Sequence, residues 1–193
     1  MRLLFGFFLT AGLLAAPALA DTDAAARLNR EGVQLFVNAN YVLALQSFEK
    51  ARRLVPAEAE YHNNAGMCLL RMGRFADALE YFEVAIKRRD AALYHYNRGL
   101  AHEALREDTA AIQDFEAAVQ RAPENFSAMA RLGVLLLRND QPVRAEIILR
   151  QAADVRESYE MENHLGVAYI QLKRYEAALP ALDRSIELNQ RFY

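Results

Sequence analysis

Apolar residues along most of this chain return at intervals of three and four, in short stretches broken by polar turns, and each stretch reads as one amphipathic helix. The stretches come in pairs. In one pair Ala128 to Leu137 is apolar but for Arg131, and the break Asn139-Asp140-Gln141-Pro142 ends that helix before Pro142 opens the next. In another the break is Met72-Gly73-Arg74-Phe75, where Gly73 suits a left-handed helix cap. Pro180, a few residues into the last stretch, removes a backbone donor and predicts a late or bent helix start.

The pairs repeat with a fixed period. Glycines stand at Gly32, Gly66, Gly99, Gly133 and Gly166, spaced 34, 33, 34 and 33 residues apart. Twelve residues after each comes an alanine (Ala44, Ala78, Ala111, Ala145, Ala178), and four later a large apolar residue (Phe48, Phe82, Phe115, Leu149, Leu182). Three further on stands a small one: Ala51, Ala85, Ala118, Ala152 and Ser185. Small residues where helices must touch and large ones where they wedge, at this period, predict an all-α solenoid of helix-turn-helix units.

These residues resemble the tetratricopeptide repeat (TPR) family, whose pattern runs Gly, Tyr or Leu, Ala, Phe, Ala and a closing Pro. Ala44 to Pro56 and Ala111 to Pro123 carry its second half intact. Departures occur: the chain has no Trp, His62 and His95 stand where a larger ring is usual, and Asp90, Glu157 and Gln190 replace the closing Pro. The resemblance implies a right-handed solenoid of five repeats, near residues 25–58, 59–91, 92–125, 126–158 and 159–192.

The first 20 residues read differently. Met1-Arg2 is followed by an apolar run from Leu3 to Ala16 and by Pro17-Ala18-Leu19-Ala20, the form of a secretory signal peptide cleaved before Asp21. A retained membrane-anchoring helix is the alternative, since Leu3 to Ala20 holds no charge. Lipid modification is excluded, because the one Cys is Cys68. The expected product is a periplasmic or secreted domain over residues 21–193. Its charge, 23 Lys and Arg less Arg2 against 25 Asp and Glu, gives no electrostatic case for nucleic acid or anionic lipid, so membrane contact would be indirect. A single Cys leaves stability to the stacking of repeats, and Cys68 takes a position where other repeats have Ala.

Catalytic patterns are lacking. No Gly-rich phosphate loop, Gly-x-Ser-x-Gly or His-Glu-x-x-His occurs, so neither enzyme activity nor a cofactor or metal is expected. His95 and His102 share a helix face about 10 Å apart, too far for one metal, and are expected as packed, hydrogen-bonded residues. Asp77, Glu80, Asp114 and Glu116 are expected on solvated surfaces, and Arg52-Arg53 and Lys87-Arg88-Arg89 as charges closing helix ends.

Binding is the stronger expectation. By the resemblance, the first helix of each repeat lines a concave surface. One and four residues after the glycines stand Val33, Met67, Leu100, Val134 and Val167, then Phe36, Leu70, Glu103, Leu137 and Ile170, a nearly unbroken apolar ribbon. Beside it, two and three residues before the glycines, lie Asn29, Arg30, Asn63, Asn64, Tyr96, Asn97, Arg131, Asn163 and His164. In the family an Asn two before the glycine often holds ligand main chain, and Asn64 and Asn97 match it. The type that clamps a terminal carboxylate has Asn or a basic residue just after the glycine, where this chain is aliphatic or Met. The reading is a non-enzymatic scaffold in the cell envelope, holding a peptide or helix of another envelope protein, for example in pilus, secretion, outer-membrane or cell-wall assembly. The alternative is self-assembly through a last repeat whose Leu182, Ile186, Phe192 and Tyr193 lack a capping helix.

Overall fold

A computed structural model describes residues 19–191. The leader reading on residues 1–18, and the expectation for Phe192 and Tyr193, lie outside the described residues. Among the described residues ten helices follow in order: α1 (Leu19–Val37), α2 (Tyr41–Leu54), α3 (Ala59–Arg71), α4 (Phe75–Arg88), α5 (Ala92–Ala104), α6 (Asp108–Arg121), α7 (Phe126–Arg138), α8 (Pro142–Val155), α9 (Tyr159–Gln171) and α10 (Tyr175–Arg191). Each packs on the helix before and after it, and the odd-numbered helices form an inner layer in which α1 meets α3, α3 meets α5 and α7 meets α9. Among the described residues no helix is long and apolar enough to cross a membrane.

The turn inside every repeat is the same. The residue seven after each glycine is left-handed: Ala39, Gly73, Arg106, Asp140 and Lys173, with φ from 55° to 76°. The amide of the next residue donates back to the carbonyl five before it, as in Asn40 to Leu35 at 2.9 Å and Gln141 to Leu136 at 2.8 Å, the paired-bond cap that satisfies helix-end carbonyls. Second helices therefore start in one register. Pro180 does not delay α10, which begins at Tyr175 like its counterparts and carries the proline inside an unbroken helix.

The glycine seam explains the period. A Cβ built on Gly66 would lie 2.8 Å from the Phe82 ring, and one on Gly133 would lie 2.4 Å from Leu149. Each large residue thus fills the space that a side chain on the facing helix would take, flanked by alanines that are fully buried, such as Ala78 and Ala85. Between repeats, Tyr61 packs on Ala25 and Ala51, and Tyr94 on Ala59 and Ala85. The largest apolar core lies in the second half, from Ala111 through Leu132, Leu136 and Leu149 to Ala181. Cys68 is fully buried in a smaller first-half cluster with Ala44, Phe48 and Ala65, and burial pushes its thiol up to about 12, so it is inert packing.

Repeat three departs from the apolar scheme. Asp114, read from sequence as solvated, is 3% exposed because it lies between Ala111 and Ala118 on the face of α6 that meets α5. Arg98 donates to both of its carboxylate oxygens at 2.7 and 2.8 Å, His95 Nδ1 lies 3.3 Å from it, and His102 Nε2 lies 3.8 Å away. His95 Nε2 is 2.7 Å from Asp90, which Arg121 holds with two bonds of 2.6 Å. Those donors hold the Asp90 carboxyl well below the usual range, at about 2. His102 Nδ1 lies 2.6 Å from a Glu107 carboxylate oxygen, so both histidines are packed and hydrogen-bonded. Asp77 is half-buried, in an ion pair with Arg74, and Glu80 is exposed as expected.

Candidate functional site: a continuous concave groove

The inner helices enclose three hollows that run into one another. The first, about 280 Å³, lies over α1, α3 and α5; the second, about 680 Å³, over α3, α5 and α7; the third, about 340 Å³, over α5, α7 and α9. Met67 and Asn97 border both the first and second, while Tyr96, Glu103 and Arg131 border both the second and third. The side chains reach one surface because positions one and four after each glycine project from the first helices on the face away from the seam.

Twelve residues singled out from sequence line this groove: Val33, Phe36, Asn63, Asn64, Met67, Leu70, Tyr96, Asn97, Leu100, Arg131, Val134 and His164. Six do not. Asn29 is half-buried, Arg30 and Asn163 are exposed beyond the hollows, and Ile170 stands 46% exposed past the third of them. Val167 packs against the large core, and Leu137 is 8% exposed within it. The apolar ribbon is therefore groove wall through α1, α3 and α5 and becomes core at Leu137, where the surrounding leucines close over it.

The asparagines also differ from expectation. Asn97 Nδ2 donates to Asn63 Oδ1 at 2.7 Å, Asn63 to Asn64 at 3.2 Å, Asn64 to Asn29 at 3.0 Å, and Asn29 to Glu60 at 2.8 Å. Asn63 and Asn97 are 3% and 4% exposed. One amide N–H of each is spent in a relay that ties α5, α3 and α1 together, so Asn64 and Asn97 brace the groove floor before they offer anything to a ligand. His164, half-buried in the third hollow, has its pKa lowered by desolvation, and the neutral ring presents one donor and one acceptor.

The groove holds residues that the sequence reading passed over. Arg71 and Arg138, both five residues after their glycines, and Arg106, on the left-handed turn, join Arg131 around the second hollow, where Glu103 is the single carboxylate. Arg131 Nη1 lies 2.9 Å from Glu103, and Arg138 grips Asp108 with bonds of 2.5 and 2.9 Å. The Arg71 guanidinium sits 5.8 Å from the centre of the Phe36 ring. Leu93, 54% exposed, adds apolar surface to the first hollow. The signal for Arg71 and Arg138 was their shared register. Among the described residues no group of three or more His, Cys, Asp or Glu is arranged to hold a metal ion.

Comparison with known proteins agrees with this architecture. Sequence profiles of the tetratricopeptide repeat match residues 29–92, 69–126, 96–158 and 161–192. A solved MamA fragment from Desulfovibrio magneticus RS-1 superposes with a TM-score of 0.78 at 20% identity, over 88% of this chain and 97% of that one. YrrB, described as a TPR protein with an unusual peptide-binding site, superposes at 0.74 and 20% identity over 85% and 86%. At these identities the likeness is one of fold. Among curated proteins, the BBSome complex member BBS4 homolog of Drosophila melanogaster is 27% identical over 79% of this chain, and DnaJ homolog subfamily C member 3 of Gallus gallus 28% over 74%. The chain spans about a third of the length of each, 34% and 31%.

Proposed function

We propose, from the premise that the chain belongs to the tetratricopeptide repeat family, that it is a non-enzymatic scaffold holding a segment of a partner protein along its concave face. The carrying observation is the continuity of the three hollows, each sharing lining residues with the next. Half-exposed aliphatic walls beside braced amides suit a bound segment: Val33, Met67 and Leu70 supply apolar contact, and the free capacity of the amides fixes direction. The peptide-binding site named for YrrB supports the same reading. The leader-like pattern of residues 1–20 supports a partner in the cell envelope, with secretion, pilus, outer-membrane and cell-wall assembly as the processes proposed for it.

The test is cross-linking from the groove. A photoreactive residue at Leu100 is expected to capture an envelope protein, whereas one at exposed Gln113 captures none. Val33→Glu with Leu70→Glu should weaken capture roughly a hundredfold, since two apolar contacts of about 1–2 kcal/mol are lost, while melting shifts by only a few degrees. Equal capture from both faces would sink the proposal.

A second reading, self-association, rests on α10. Tyr175, Leu179 and Ile186 are 60%, 64% and 56% exposed, and their spacing puts them on one stripe. The leading face of repeat one does not match it: Arg27, Glu31 and Gln34, all exposed, stand where the second repeat buries Tyr61, Ala65 and Cys68. Head-to-tail stacking is thereby disfavoured, and copies would meet through α10 about a twofold axis. Leu179→Asp with Ile186→Asp is expected to reduce a dimer to monomer by light scattering. A mass unchanged by the substitutions removes this reading.

A further inference from the structure

We infer that the segment held in the groove is an acidic one, with carboxylates over α5 and α7 and apolar side chains over α1 and α3. The inference rests on the groove reading above and goes beyond it by naming the ligand's chemistry.

The argument starts from charge. The chain as a whole is acidic, at −2, yet the largest of the three hollows is bordered by Arg71, Arg106, Arg131 and Arg138 against Glu103 alone. Arg131 and Arg138 already have carboxylate partners. Among the described residues Arg71 and Arg106 have none within ion-pairing distance, and both side chains are exposed. A cationic concavity on an anionic protein is a selective feature, because the rest of the surface repels an acidic ligand while low-dielectric walls focus the attraction here. Arginine suits carboxylates in particular, since its fork donates two parallel hydrogen bonds.

The adjoining hollow has the opposite character. Val33, Phe36, Met67 and Leu93 line it beside the asparagine relay, and no charged residue borders it. A ligand spanning both must change from apolar to acidic along its length. Inner helices about 10 Å apart place α1 and α7 roughly 30 Å from each other, the reach of about ten extended residues. A polyphosphate or nucleic-acid strand would satisfy the arginines but leave the apolar hollow without side chains to fill it. The chain's own leading segment fits no better, because from Leu3 to Ala20 it has no carboxylate.

Fluorescence anisotropy tests this with labelled peptides of about ten residues, half Leu and Phe, half Glu, made in both orders, beside twins in which Gln replaces Glu. One Glu peptide is expected to bind about tenfold tighter than its Gln twin at low salt, with the preference falling severalfold near 0.5 M salt. Arg71→Glu with Arg106→Glu should abolish that preference and leave the Gln twin's affinity within about twofold. Twins that bind equally overturn the acidic ligand while the groove stands. Failure of every peptide to bind overturns both, and tighter capture of an oligothymidylate than of the Glu peptides assigns the arginines to phosphate instead.

Discussion

Gly66→Val is expected to destabilise the fold by at least about 3 kcal/mol, seen as a lower urea midpoint in circular dichroism. The added Cβ would sit 2.8, 3.0 and 3.2 Å from three atoms of the Phe82 ring. That ring is fully buried and packs with Leu69, Ala78 and Ala101, so it has nowhere to move. Relief would require α3 and α4 to part, and parting would open the faces through which the second repeat joins the first and third, since each repeat in such an array is supported by its neighbours. The requirement belongs to helix separation and not to the aromatic ring: Gly133 and Gly166 face leucines at 2.4 and 2.5 Å, closer still. Gly73→Ala is the control. Its Cβ would meet nothing within 4 Å, but φ is +76°, so the cost is only the left-handed conformation, about 1 kcal/mol. A Gly66→Val protein that melts with the Gly73→Ala protein would show that the seam yields.

The same seam explains why the fold can be read from one chain. Close helix approach admits few residue types, and it recurs at a fixed offset, so Gly32 with Phe48 and Gly99 with Phe115 leave a visible mark. The turns were visible at Gly73 and at Asn139-Asp140-Gln141-Pro142; Ala39, Arg106 and Lys173 hold the same left-handed backbone without a residue type that announces it, and only the register relates them. The groove was harder. Leu70 and Leu137 occupy one register, yet Leu70 lines the second hollow and Leu137 is core, because what covers a position depends on the neighbouring repeat. Asn97 finds Asn63 across 34 residues, a bond that no local pattern encodes. Arg71, Arg106 and Arg138 look like scattered charges at the ends of different helices, and curvature alone gathers them around one hollow.

Asp114 sharpens the point, and it carries a pair of predictions with opposite signs. Asp114→Ala should cost about 3 kcal/mol or more. The carboxylate is 3% exposed and accepts from Arg98 twice and from His95, so its removal strands a guanidinium and an imidazole against α6, where their hydrogen-bond donors meet methyl groups. The fourth repeat performs the same packing without charge. At the positions of His95, Arg98, His102 and Asp114 it has Met129, Leu132, Leu136 and Ile148, the first three buried and Ile148 packed against the core they form. Replacing all four residues of repeat three by those of repeat four should therefore be neutral or stabilising by roughly 1–4 kcal/mol, because the desolvation of four polar groups disappears together with their attractions. Urea midpoints of the single and quadruple variants decide the matter. If the quadruple variant is as unstable as Asp114→Ala, the polar cluster supplies something that hydrophobic packing cannot, and the break it makes in the apolar core between Ala101 and Ala111 is then part of how repeat three holds α5 against α6.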